Sequence, residues 1–395
     1  MPGTPSKPLR VVQATWVRYH HFELARELHA RDCLEQIFTC LPPWIARRET
    51  VPREKISCNF WIQGIRRLLA KAPMYRKSWD GPLACLETAT FNRWVAACLP
   101  PCNVFIGASG AGLHAGRKVQ ARGGVYLCDR GSTHYRFQQD LLREEYMRWK
   151  QPWCPDPEFL VANEESEYEQ ADAITVPSNF SKQTFVQAGV PAEKIHVVPY
   201  GVNLKEFQPV AEPPRDGTFR ILFVGEITLR KGVPYLLEAF RRFQHPRKEL
   251  ILIGGKEKGM EKLLAKLSTP EVRYLGMRPR QELKEEMSRS HVLVLPSVED
   301  GFGMVMGQAM ACGCAIIASE HTGARNLYTD GVEGFIIPPR NPGALAAAWT
   351  RLADEPSTLA AMRVAARKRA CEVGGWHTYA DEILNIARCA LTPAG

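Results

Sequence analysis

The sequence predicts an α/β protein built from two doubly wound, Rossmann-like domains facing each other across a cleft, and three observations carry that expectation. Arg10 to Ala14 (RVVQA) and Arg220 to Gly225 (RILFVG) are apolar strands of one plan, each followed by a helix-forming stretch, HHFELARELHARD and GVPYLLEAFRRF respectively. Between these repeats, Tyr200 to Phe219 has a linker's composition, with Gly201, Pro209, Pro213, Pro214 and Gly217. The third observation is VLVLPSVEDGFGMVMGQAMACGCAIIA, from Val292 to Ala318. It gives a strand, a glycine loop, an Ala- and Met-rich helix and a second strand, in the order of a βαβ unit.

Taken in order, the first domain is expected over residues 1–200. Val125 to Leu127 is an apolar run inside it, and Ala173 to Val176 and Ile195 to Pro199 are its last strands, with Ser178 or Asn179 capping the helix between them. The second domain is expected over 201–375 and continues through strands at Leu250–Gly254, Val272–Gly276, Val292–Leu295, Ala315–Ala318 and Gly334–Pro338. The loop Gly301-Phe302-Gly303 lies past the carboxyl end of a strand, where such sheets bind ligands. Glycine there lets backbone N–H groups approach an anion, and the start of the next helix adds partial positive charge. An acidic pair, Glu299-Asp300, beside a phosphate site suits a ligand with many hydroxyls.

The chain has 395 residues, enough for two domains that each bury a core, and 45% hydrophobic with 24% charged residues is the balance of a soluble globular protein. MPGTPSKPLR has no apolar export signal, and no run of about 18 apolar residues predicts a membrane span. Twelve cysteines are scattered without a CxxC pair, so a reducing cytoplasm is the expected location. The net charge of +9 is concentrated in Trp44–Trp79, where nine basic residues face two acids. Trp44, Phe60 and Trp61 are interleaved with them. An anionic membrane surface is one expected partner of this segment, and a solvated insertion is the other reading. Nucleic acid is not expected, since no binding motif accompanies the charge.

The loop string Asp300, Gly301-Phe302-Gly303, Gln308 and Ala309-Met310-Ala311-Cys312-Gly313 closely resembles the donor-binding segment of the retaining glycosyltransferases of family 4, which have the GT-B fold. The similarity is strong from about Ser166 to Ala353 and faint over the first 120 residues. It implies a nucleotide-sugar donor and a glycan or lipid-linked acceptor, as in cell-surface polysaccharide or glycolipid synthesis. It also implies that 376–395 forms a helix crossing back onto the first domain.

By this resemblance Lys231 grips the donor diphosphate, where a fixed cation stabilises the departing charge. The family's arginine after the first glycine is here Glu226, and Arg230 is the candidate replacement. Asp300 stands in register as the sugar-contacting carboxylate, with Glu299 its competitor. Backbone N–H groups of Phe302, Gly303 and Met304 are expected to reach ligand oxygens, and Gly301, Gly254 and Met277 to lie on the donor side. Gln308 replaces the glutamate that binds ribose hydroxyls. His134 is expected to face the donor sugar from the first domain. Trp16 and Arg130 are the acceptor-side candidates, for stacking on a sugar ring and for binding an acceptor phosphate. His20 and His21 point about 100° apart on a helix, so one is expected buried or in the acceptor cleft and the other exposed, with no metal pair between them. Glu144 and Glu145 are expected on a solvated helix face. The absence of any Asp-x-Asp implies catalysis without a metal or other cofactor. The alternative to an enzyme is a non-catalytic nucleotide-sugar sensor or scaffold, raised by Glu226 and Gln308. A dinucleotide oxidoreductase is excluded because ATWVRYHH has no glycine after the first strand.

Overall fold

A computed structural model describes residues 8–61, 63–64 and 79–392. It contains two wholly parallel sheets among the described residues. The first has the order β3-β2-β1-β4-β5-β6-β7, with β1 at Val11–Thr15, β2 at Leu34–Thr39, β3 at Ile56–Cys58, β4 at Val104–Ala108, β5 at Val125–Asp129, β6 at Ala173–Val176 and β7 at Ile195–Val197. The second has the order β10-β9-β8-β11-β12-β13, with β8 at Phe219–Val224, β9 at Lys248–Ile253, β10 at Val272–Gly276, β11 at Val292–Leu295, β12 at Ala315–Ser319 and β13 at Gly334–Ile337. Helices cover both faces of each sheet, so the inner strands are buried on both sides and read as continuous apolar runs, VLVL in β11 and AIIAS in β12. This is the two-domain GT-B architecture.

Strand order reverses between β1 and β4 in one sheet and between β8 and β11 in the other. A crevice opens at each such point, outside the carboxyl ends of the strands. The loops after β8 and β11 therefore flank one crevice, and those after β1 and β4 flank its counterpart.

The chain passes between domains at two places that touch. A Cβ on Gly201 would lie 2.5 Å from the Gly375 carbonyl carbon, so the first connection needs glycine to cross the second. Beyond that crossing, the Trp376–Leu391 helix packs on the Tyr19–Ala30 helix and on β5 of the first sheet. Arg31 fixes it, pairing with Asp381 at 3.0 Å and donating to the His377 carbonyl.

Candidate functional site

In the second domain the turn after β8 is stitched to the loop after β11. The Arg230 carbonyl accepts from the Val298 N–H at 2.9 Å, and the Lys231 N–H donates to Thr228 Oγ1 at 3.1 Å. This brings two cations onto two carboxylates. Lys231 Nζ pairs with Asp300 Oδ2, and Arg230 Nη1 lies 3.2 Å from Glu299 Oε2. Burial pulls the Lys231 pKa down, and Asp300 opposes that shift.

The neighbours Asp300 and Glu299, rivals in the sequence, have different surroundings. Asp300 faces Lys231. Glu299 is fully buried and reaches the first domain, where Ser132 Oγ donates to Oε1 at 2.6 Å, Thr133 Oγ1 to the same oxygen at 2.8 Å, and Gln138 Nε2 to Oε2 at 2.7 Å. Burial disfavours its charge, but Arg230 and these hydrogen bonds outweigh burial and hold its pKa down at about 2. The backbones meet here as well. A Cβ on Gly301 would sit 2.4 Å from the Ser132 Cα, so only glycine fits.

The other residues expected on the donor side follow strands of the second sheet. Phe302 is buried, and its ring lies 5.5 Å from that of Tyr200 in the linker. The Gly303 N–H donates to the Thr322 carbonyl and the Met304 N–H to the Phe302 carbonyl, each at 3.0 Å. Those two amides are thus engaged within the domain rather than presented to a ligand, because the Phe302–Met304 turn closes on the segment after β12. Gln308 is half-buried on the Met304–Ala311 helix. Gly254 ends β9 against the Gly225 carbonyl, which a Cβ would approach to 1.8 Å. Glu226 is exposed, and Met277, past β10, is 83% exposed.

On the first-domain side Trp16 follows β1 and packs its ring 4.5 Å from Phe91, half-buried at the crevice. Arg130, the candidate for an acceptor phosphate, is held by first-domain partners. Its Nε donates to the Thr133 carbonyl, Nη1 to Glu164 and Nη2 to Gln138, each at 2.9 Å, and it is buried. His134 begins the Tyr135–Arg148 helix with its N–H on Thr184 Oγ1 at 2.9 Å. Its ring packs at 5.2 Å from Tyr168 and 5.0 Å from Phe185, in a groove of about 790 Å³ lined wholly by first-domain residues such as Phe137, Thr184 and Lys194. From this turn Ser132, Thr133 and Gln138 are the side chains that reach the second domain. Two adjacent hydroxyls just past a strand end were the available sequence signal.

Two further expectations change. His20 and His21 are both buried, with ring centroids 4.2 Å apart and Nε2 atoms 2.6 and 3.6 Å from Asp129 Oδ2. Both sit in the first turn of their helix, where the rings bend toward one carboxylate at the end of β5. His20 holds the buried Asp129 below the usual carboxylate range although burial acts the other way, while burial and His20 hold His21 down at about 3. These three residues bring potential ligand atoms within 4.8 Å of one another, but the 2.6 Å contact is that of a hydrogen-bonded pair. Glu145 is also buried, not solvated. It accepts from Trp149 Nε1 and Tyr235 OH and pairs with Arg340 at 2.7 Å, the last two from the second domain.

Of the basic segment 44–79, residues 62 and 65–78 lie outside the described residues. In the described part Trp44 is 59% and Trp61 68% exposed, with Phe60 and Trp61 stacked at 4.6 Å. Among the described residues no helix is long and apolar enough to cross a membrane.

Residues 205–369 match the family Glycosyl transferases group 1, and residues 109–206 match Glycosyltransferase Family 4. A D-inositol 3-phosphate glycosyltransferase of Nocardiopsis dassonvillei is 29% identical over 263 residues, 60% of this chain and 61% of that protein. An alpha-maltose-1-phosphate synthase of Mycolicibacterium smegmatis is 27% identical over 252 residues, 57% of this chain and 65% of that protein. The matched region thus spans about three-fifths of these relatives' length. In fold, the chain is similar to sucrose-phosphate synthase from Thermosynechococcus elongatus, with TM-score 0.72 and 20% identity over 96% of this chain and 98% of that one. It is also similar to HepE from Anabaena in complex with UDP-glucose, with TM-score 0.68 and 17% identity over 96% and 99%.

Proposed function

Because the chain belongs to the family 4 glycosyltransferases of group 1, with the GT-B fold, we propose that it moves a sugar from a nucleotide-sugar donor to a glycan or lipid-linked acceptor. The carrying observation is Lys231 against Asp300 at the switch point of the second sheet. A sugar diphosphate entering there meets a cation for its phosphates and a carboxylate for its hydroxyls, and the two protein groups part to take their ligand partners. Arg230 supplies a second cation when it turns from Glu299. The diphosphate leaves along Lys231, with its own oxygen taking the acceptor proton, so the sugar keeps its anomeric configuration. The reaction as proposed uses no metal, and the exposed Trp44–Trp61 region rests against an anionic membrane surface that presents the acceptor. UDP-glucose in the similar HepE structure supports a nucleotide-sugar donor.

A sensor that binds such a donor without turnover is the second reading, favoured by the exposed Glu226 at a position suited to a phosphate-binding cation. Screening a panel of nucleotide sugars for diphosphate release, with and without EDTA, separates the two. Release in both conditions supports the metal-free enzyme, while calorimetric binding without release supports the sensor. Abolition by EDTA with rescue by magnesium or manganese overturns the metal-free step.

A further inference from the structure

The fully buried Glu299 carboxylate belongs to the second domain, yet three of its four side-chain partners, Ser132, Thr133 and Gln138, belong to the first. We propose that Glu299 is a positioning residue, a clasp that holds the first-domain turn Gly131–Gln138 against the Asp300-Gly301 loop.

The clasp is directional at the level of single atoms. Gln138 is fixed on both sides, since its Oε1 accepts from Arg130 Nη2 at 2.9 Å while its Nε2 donates to Glu299 Oε2 at 2.7 Å. Arg130 is itself held by Glu164. The chain Glu164, Arg130, Gln138, Glu299, Arg230 therefore alternates acceptors and donors across the cleft, and Gln138 has no freedom to turn its amide over. An amide at position 299 breaks the pattern. With its oxygen on Ser132 and Thr133, its NH2 faces the NH2 of Gln138 and the guanidinium of Arg230, three donors with no acceptor among them.

Moving the carboxylate from position 299 to position 138 restores the link between the domains. With Glu299→Gln and Gln138→Glu together, the new carboxylate accepts from Arg130 and from the amide at 299, at unchanged net charge, and only the contact of Arg230 within the second domain stays without its acceptor. The clasp is also local. The same Tyr135–Arg148 helix is tied to the second domain at its other end, where Glu145 meets Arg340 and Tyr235. Loss of the first tie leaves the second in place. The clasp stands whether or not the chain transfers a sugar, because its readout needs no substrate.

Hydrogen exchange on the full chain without ligand tests it. Glu299→Gln is expected to speed exchange of the 131–138 amides by about tenfold or more, with the amides of 144–149 unchanged. The double variant is expected to restore protection at 131–138. Unchanged exchange in Glu299→Gln, equal acceleration at 144–149, or a double variant no better than the single one overturns the clasp. Should Glu299→Gln fail to fold, Gln138→Ala breaks the same contact from the first domain and is read by the same two regions.

Discussion

Lys231 and Asp300 form an ion pair that joins the turn after β8 to the loop after β11, across the crevice where the second sheet reverses its strand order. Each group is the other's competitor for a ligand. A diphosphate must draw Lys231 from Asp300, and sugar hydroxyls must draw Asp300 from Lys231. Asp300→Asn is therefore expected to tighten binding of a free nucleoside diphosphate, because Lys231 is released, while lowering turnover of the nucleotide sugar. Calorimetry with the diphosphate and a release assay read the two effects. Weaker diphosphate binding in Asp300→Asn would show that the pair does not compete with the ligand.

Glu299 makes stability depend on pH in a defined window. Its folded pKa, about 2, lies below the ordinary 4.5, so its contribution is present above pH 4.5 and lost as pH falls toward 2. The charged side chains that Glu299 acts on are the cations Arg230, Arg130 and Lys231. At neutral pH a shift of this size corresponds to about 3 kcal/mol. Urea midpoints of wild type and Glu299→Gln are expected to converge on acidification from pH 6 to 3.5. A difference that stays constant over that range contradicts the assignment.

Much of the scaffold was legible in the sequence, because inner strands of a parallel sheet are buried on both faces. VLVL and AIIAS announce β11 and β12 without any partner being known. The three-residue edge strand β3 is half-buried and carries no such run. Lys231 and Asp300 were singled out by the resemblance to the family 4 donor-binding segment, and the structure brings the two side chains together. The contact of Glu299 with Gln138 was not legible, since it joins residues 161 apart and no local pattern records which carboxylate turns toward another domain. Glu145 illustrates the same limit. In REEY it looks solvated, and it is buried only because Tyr235 and Arg340 close over it. His20 and His21 converge because Asp129, far along the chain, offers both rings one oxygen.

The exposed aromatics beside a basic segment give a prediction for membranes. Trp44 and Trp61 stand out from the first domain, and Arg47, Arg48 and Arg53 are exposed near them in sequence. The protein is expected to sediment with anionic vesicles at low salt and to be released by high salt, each nearby cation adding about 1 kcal/mol. Arg47→Glu with Arg48→Glu is expected to weaken this binding without altering donor hydrolysis. Equal binding to neutral and anionic vesicles, or none to either, leaves the segment a solvated insertion.

The central claim is that Lys231 stabilises a departing diphosphate, and the kinetics of Lys231→Ala on a nucleotide sugar that the wild type turns over test it most directly. Loss of one fixed, half-buried cation from the transition state is expected to raise the barrier by about 2–4 kcal/mol, on the order of 30- to 1,000-fold in kcat. The circular dichroism spectrum should be unchanged. A folded Lys231→Ala enzyme with near-wild-type kcat would contradict the account.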